Sequence, residues 1–210
     1  MRFSSSTHEI EIKLLVRSAA EARPILARAG FGIARRRVFE QNSVFDTADG
    51  SLRRAGALLR VRQAGQNATF TYKGRAIPGK HKSRQELEIG VSSASMLSAI
   101  LESLGFQLVF RYEKFRTEYA RGAHGVVMLD ETPIGCYLEI EGAPRWIDDT
   151  ARRLGFRESD YITASYGQLY LAFCKQHGVA PAHMIFSHKP RRIAKPARRQ
   201  RPAGSDSAAL

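Results

Sequence analysis

Only two cysteines, Cys136 and Cys174, occur in the 210 residues. Two thiols cannot build a framework of several bridges, so a disulfide-held secreted scaffold is excluded and a reducing, cytoplasmic compartment is expected. Long apolar runs are also missing. No stretch approaches the roughly 20 residues that cross a bilayer as a helix, so no membrane partner is expected. The opening Met1-Arg2-Phe3-Ser4-Ser5-Ser6-Thr7 has no apolar signal core. Acidic residues are scarce: 20 Asp and Glu stand against 33 Lys and Arg, a formal net charge of +13. An excess of that size calls for an anionic partner. No repeat of solenoid type is present.

What the chain does have is an ordinary globular composition, 43% hydrophobic and 25% charged, at a length that suits one domain with a sizeable core. The charge is uneven. From Lys189 to Leu210 seven Lys or Arg face Asp206 alone, so this segment carries +6 of the +13 and the remainder +7. The expected organisation is a flexible N-terminus over 1–7, a folded domain over 8–178 and a basic, disordered tail over 179–210. Such a tail could contact nucleic acid or polyphosphate.

Hydrophobic periodicity predicts strands at residues 8–16, 35–46, 58–63, 69–73, 83–91, 110–119, 125–131 and 137–141. Helices are expected at 19–29, at 93 or 95 to 104, at about 148–154 and at 163–177, with one further turn at 51–55. Eight strands with a few helices point to a mainly β, α+β protein built on an antiparallel sheet.

The polar faces of these strands share one pattern. A strand places residues i, i+2 and i+4 on the same side. His8-Glu9-Ile10-Glu11-Ile12-Lys13 therefore groups Glu9, Glu11 and Lys13 opposite Ile10, Ile12 and Leu14. The same parity groups Arg60 with Arg62, and Thr69 and Thr71 with Lys73. It also groups Arg84 with Glu86 and Glu88, Lys114 with Arg116 and Glu118, Met128 with Asp130, and Tyr137 with Glu139 and Glu141. If the sheet closes with these faces inward, it forms a tunnel lined by carboxylates and by Lys and Arg, a closure that suits about eight strands. Inward cations need neutralising, because unpaired buried charge is costly. A polyphosphate supplies that neutralisation, and Arg grips its oxygens in pairs. The Glu-x-Glu pairs suit Mg²⁺ or Mn²⁺, which take oxygen ligands and bridge to phosphates.

The run Glu9-Ile-Glu-Ile-Lys13 resembles the ExExK signature of the CYTH superfamily, the triphosphate tunnel metalloenzymes. So do Gln41–Thr47, Leu59-Arg-Val-Arg62, Thr71-Tyr-Lys-Gly74, Arg84-Gln-Glu-Leu-Glu88, Glu113-Lys-Phe-Arg116, Leu129-Asp-Glu131 with Tyr137–Gly142, and Ser165-Tyr166. These motifs cover about residues 8–175 in order, and the pattern looks closest to the class IV adenylate cyclase branch. The resemblance implies a closed eight-stranded antiparallel barrel with flanking helices. It implies metal ligation by Glu9, Glu11, Glu139 and Glu141, with Asp130 as a further candidate, and triphosphate binding by Lys13, Arg60, Arg62, Lys73, Lys114 and Arg116. Arg84 would be another phosphate ligand or a partner for the carboxylates, and Glu86 and Glu88 would hold the basic residues in place.

The implied activity is conversion of ATP to cyclic AMP and pyrophosphate with Mg²⁺ or Mn²⁺. The alternatives are hydrolysis of inorganic triphosphate or thiamine triphosphate, or non-catalytic binding of polyphosphate or RNA. A homodimer is compatible with any of them. Some triphosphatases of the family carry a Tyr on the second strand. Here Phe39 and Phe45 stand in that region, which speaks against a hydrolase of that kind. Gly74–Lys80 nearly spells a P-loop but ends in His81 and leads into a strand, so it is read as a loop. Cys174, His177, His183 and His188 match no zinc spacing.

Overall fold

The computed structural model describes residues 8–187. Alternation sets the first element: β1 (Glu9–Val16) buries Ile12 and Leu14 on one face and Glu9, Glu11 and Lys13 on the other. A strand buried on both sides needs two separate environments, one apolar and one polar. The rest of the sheet supplies both. The remaining strands are β2 (Gly32–Thr47), β3 (Leu58–Ala64), β4 (Asn67–Lys73), β5 (Lys82–Arg84), β6 (Glu86–Val91), β7 (Phe106–Ala120), β8 (Gly125–Thr132) and β9 (Gly135–Gly142). All pairings between them are antiparallel, in the order β5-β1-β9-β8-β7-β2-β3-β4-β6.

The expected closed barrel of eight strands is therefore corrected to an open sheet of nine. The cause is one residue. The single strand expected from Ser83 to Val91 is interrupted at Gln85. Residues before it pair with β1 and residues after it pair with β4. The Gln85 carbonyl leaves both ladders and accepts from the Gly74 amide at 2.9 Å. The two ends of the sheet thus belong to one segment, with no ladder between them. Side chains cross the seam instead: Lys73 Nζ on β4 lies 2.7 Å from each carboxylate oxygen of Glu9 on β1.

The apolar face is covered by helices. α1 (Ala19–Arg28) and α4 (Pro144–Arg153) pack Ala22, Leu26, Ile147 and Ala151 over Ile12, Leu14, Leu129, Leu138 and Ile140. α2 (Ser51–Arg54) and α3 (Ala94–Ser103) flank a second cluster around Phe45, Val61 and Leu101. α5 (Tyr166–His177) joins Tyr166 to Tyr112, Tyr137 and Met184. Serines cap three of these helices, as their side-chain oxygens accept from exposed first-turn amides: Ser18 from Glu21, Ser93 from Met96 and Ser165 from Gln168. α4 begins four residues earlier than its periodicity implied, because Pro144 supplies the preset φ of a first helical turn.

The folded part also extends past the expected boundary at 178. Met184 exchanges backbone hydrogen bonds with β7, its amide donating to Arg111 O and its carbonyl accepting from Glu113 N, each at 2.9 Å. The Phe186 ring packs 5.3 Å from that of Phe115. Residues 1–7 and the basic stretch from 188 onward lie outside the described residues. Among the described residues no helix is long and apolar enough to cross a membrane.

Candidate functional site

The charged faces of the curled sheet line one cavity of about 1370 Å³. β1 contributes Glu9, Glu11 and Lys13; β9 contributes Glu139 and Glu141; β3 contributes Arg60 and Arg62. Lys73, Lys82, Arg84, Glu86 and Glu88 come from the seam strands, and Lys114 and Arg116 from β7. Every expected site residue except Asp130 lines this cavity.

The carboxylates divide by their neighbours. Glu9, Glu11 and Glu139 each offer an oxygen within 4.8 Å of the others, and all three are buried. Their pairing in the sheet explains the approach, since Glu11 stands opposite Glu141 and Lys13 opposite Glu139 on adjacent strands. Burial and the Glu11 charge oppose ionisation of Glu9, but Lys73 and Arg84 overcome both and hold its carboxyl down at about 2. Glu139 is held well below the usual range against its burial by Lys13, Arg116 and Lys114. Glu141 behaves in the opposite way: burial, then the charges of Glu9 and Glu139, push it up to about 7. Three ionised carboxylates converging beside a fourth that resists ionisation form a donor set that fits a hard divalent cation.

Asp130 stands apart. It accepts from Lys114 Nζ at 2.8 Å, from Arg116 Nε and Nη2 at 2.7 Å each and from the Tyr166 hydroxyl at 2.6 Å. Both oxygens are spoken for, and the residue is fully buried. In this structure Asp130 anchors the cations of β7 and is not grouped with the three-glutamate cluster. Glu86 and Glu88 also lie against cations. Glu86 is 3.0 Å from Lys73 and 3.8 Å from Arg60, and Glu88 is 3.0 Å from Arg62 while accepting from Thr71 Oγ1 at 2.7 Å.

Arg60 carries a different signal. Its Nη1 donates to the Tyr112 hydroxyl at 3.3 Å and its Nη2 to Thr71, while its buried Nε has no partner among the described residues. Arg60 lines the cavity beside further Lys and Arg, an arrangement suited to an anion.

Four site residues escaped the sequence reading. Lys82 is buried and donates to Glu11 Oε1 at 2.9 Å, and burial, with Lys13 and Arg84 nearby, lowers its pKa. It extends the inward parity of Arg84 by one step, a signal lost by starting the strand at Ser83. Glu40 is buried near Lys114 and Arg62. It sits on β2, where bulges at Ile33/Arg35, Arg35/Val38 and Val44/Phe45 blur the alternation. Tyr112 continues the Lys114–Arg116 parity backwards. Tyr166 lies 5.3 Å from Lys13 Nζ and 5.0 Å from Lys114 Nζ, measured to its ring centre.

The near-P-loop is the connection between β4 and β5, with no helix after it. Phe39 packs on Phe115 and Phe186, and Phe45 lies in the outer apolar cluster. Asp46 accepts from the amides of Thr47, Leu52 and Arg53 at the start of α2.

Comparison with known proteins places this geometry. "Putative adenylate cyclase MJ0240" of Methanocaldococcus jannaschii is 28% identical over 133 residues, covering 63% of this chain and 75% of that protein. Among solved structures, the PH1012 protein of Pyrococcus horikoshii OT3 shares the fold with a TM-score of 0.65 at 24% identity, over 75% of this chain and 96% of that one. "Putative adenylyl cyclase HpAC1" from Hippeastrum does so with a TM-score of 0.57 at 19% identity, over 83% and 97%. The sequence model of the CYTH domain matches residues 7–166, and on that match the chain belongs to the CYTH domain family.

Proposed function

We propose that this chain is a divalent-metal-dependent enzyme that processes a triphosphate inside the charged cavity, in the manner of a class IV adenylate cyclase. The observation that carries the proposal is the convergence of Glu9, Glu11 and Glu139 within 4.8 Å inside a cavity otherwise rich in Lys and Arg. A site for a polyanion alone would have no use for three ionised carboxylates, which repel phosphate unless a cation stands between. CYTH domains act in general on triphosphates and depend on metal, which favours the same reading.

In this reading Glu9, Glu11 and Glu139 hold Mg²⁺ or Mn²⁺, with Glu141 beside them. The bound ion would neutralise phosphate oxygens and favour departure of the leaving group. Lys13, Arg60, Arg62, Lys73, Arg84, Lys114 and Arg116, all lining the cavity, bind the phosphate chain. Asp130, Glu86 and Glu88 fix the directions of those cations. With ATP, the ribose 3′-hydroxyl would release its proton to water as its oxygen bonds to the α-phosphorus and the bond to pyrophosphate breaks, giving cyclic AMP and pyrophosphate. We assign the activity to the cytoplasm.

Hydrolysis of tripolyphosphate or thiamine triphosphate is the second reading. The name of HpAC1 from Hippeastrum joins adenylyl cyclase to a dominant triphosphatase activity, so one fold is associated with both outcomes. The sequence of β2, which has Phe39 and Phe45 and no Tyr, favours the cyclase reading, because the strand brings no phenol to the cavity. Incubation with ATP, tripolyphosphate and thiamine triphosphate, each with Mg²⁺ and Mn²⁺, separates these readings. Cyclic AMP with pyrophosphate supports the cyclase, and orthophosphate supports the hydrolase. Tight binding of polyphosphate or RNA without turnover supports a non-catalytic binder and overturns both.

A further inference from the structure

Two ammonium groups meet on a single carboxylate oxygen. Lys13 Nζ and Lys82 Nζ each lie 2.9 Å from Glu11 Oε1. Glu11 is also one of the three glutamates whose oxygens converge. A divalent ion drawn to that oxygen competes directly with both ammoniums, and like charges at such distances repel strongly where water is scarce.

The two lysines are not equally placed to yield. Lys13 lies on β1, whose backbone is paired with β9 and, through its own N–H and C=O, with Ile162. Its ammonium has a second carboxylate, Glu139 at 3.8 Å, and the Tyr166 ring at 5.3 Å. Lys82 lies at the start of β5, a strand of three residues that pairs with β1 and, through Ser83, bridges Ile77. Among the described residues Glu11 is the one carboxylate within ion-pair distance of Lys82. The neighbouring charges are cationic: Lys13, and Arg84 two residues along its own strand. If Glu11 gives its charge to a metal ion, Lys82 loses its neutraliser while still facing the cavity. Its flexible four-carbon stem lets the ammonium move where a guanidinium fork would be held.

We propose that Lys82 is an exchangeable counter-ion of the carboxylate cluster. It neutralises Glu11 while no divalent ion is bound, and turns to a phosphate oxygen of the substrate once one is. This rests on the proposed metal role of Glu11. It adds a competition between a built-in cation and the metal, and a residue that joins metal entry to phosphate binding. Linkage makes the competition reciprocal: whatever Lys82 contributes to the metal-free protein, it subtracts from metal affinity.

The test is calorimetric titration of Mn²⁺ alone into the full-length, metal-free protein. Lys82→Met is expected to bind Mn²⁺ about tenfold more tightly than wild type, within the usual range of site–site coupling. Its metal-free melting temperature should fall, and KM for tripolyphosphate at saturating Mn²⁺ should rise. Lys82→Arg keeps the charge in a fork that is held more firmly, and should bind Mn²⁺ no more tightly than wild type. Should Lys82→Met fail to fold by circular dichroism, Lys82→Gln serves in its place.

Loss of Mn²⁺ binding in Glu11→Gln, with unchanged or weaker binding in folded Lys82→Met, overturns the exchange and leaves the metal assignment standing. Equal binding, or none, in both wild type and Glu11→Gln overturns the metal assignment and the exchange with it. Tighter Mn²⁺ binding without a change in KM overturns the second half of the proposal, the transfer to phosphate.

Discussion

At the scale of single residues, the site is a set of carboxylates whose roles are set by the cations beside them. Asp130 and Glu139 belong to adjacent strands, yet Asp130 is consumed by Lys114, Arg116 and Tyr166 while Glu139 joins Glu9 and Glu11. No spacing in the sequence distinguishes them, because the difference lies in which side chains cross from β7 and α5. Removing one partner of a buried ion pair typically costs about 3–5 kcal/mol, since the charges left behind stay buried. Asp130→Asn should therefore lower the denaturant midpoint markedly, by more than Glu88→Gln, whose carboxylate is partly exposed. A smaller loss for Asp130→Asn would mean that Lys114 and Arg116 find other partners.

Glu40 gives a pH dependence with a definite sign. Burial raises its pKa, but Lys114, Arg116 and Arg62 outweigh burial and bring it from an ordinary 4.5 to about 2. A depressed folded-state value means that the stabilisation is complete above about pH 4.5 and is lost as the pH falls through 2. Glu40→Gln has no such stabilisation to lose. Its melting temperature should be lower than that of wild type at neutral pH, and should fall less steeply between pH 4.5 and 2. Parallel curves for the two proteins would contradict the ion-pair account of Glu40.

At the scale of elements, much of the fold was legible because it depends on local periodicity. The parity of Glu9, Glu11 and Lys13 placed three charges on one face, and the structure buries that face inside the sheet. The serine cap of α3 was equally local, whereas α5 starts at Tyr166, three residues after its expected start, behind a Ser165 cap. What remained hidden depends on contacts distant in sequence. The break at Gln85 follows from its carbonyl turning to Gly74, and nothing in Arg84-Gln85-Glu86 announces it. The segment around Met184 reads as the start of a tail, and only β7 makes it part of the fold.

The docking of α4 follows the same rule. Trp146 lies over Gly125 and Gly142, and a Cβ at Gly125 would come within 2.5 Å of the Trp146 ring and 2.6 Å of Glu141 O. Overpacking of this kind costs about 1–3 kcal/mol. Gly125→Ala should therefore destabilise the protein by that order in chemical unfolding. A neutral effect would show that α4 and the neighbouring β9 backbone can both shift at little cost.

At the scale of the whole molecule, the sheet solves a problem that its composition poses. Strands with one strongly charged face cannot stack into an ordinary core. Curling that face inward gathers the charges around a shared cavity and leaves the apolar face for the helices. The seam between β5 and β6 is bridged by ion pairing, not by a ladder: Lys73 on β4 binds Glu86 on β6 and, across the seam, Glu9 on β1. The residues that would process substrate therefore also hold the sheet's two ends together, so binding and stability should be coupled. The resemblance carried by ExExK and the later motifs named residues that, Asp130 apart, share the cavity. It did not foretell the open seam, or Lys82 beside it.

The central claim is that Glu9, Glu11 and Glu139 form a metal centre for triphosphate chemistry. Its most direct test is turnover of ATP and tripolyphosphate by wild type, Glu9→Gln and Glu139→Gln, with Mn²⁺ present and after chelation. Mn²⁺-dependent product is expected from wild type, and a loss in each variant of at least the roughly 10–100-fold that follows removal of a residue hydrogen-bonded to a metal ligand. Turnover that survives chelation, or wild-type rates in both variants, would contradict the claim.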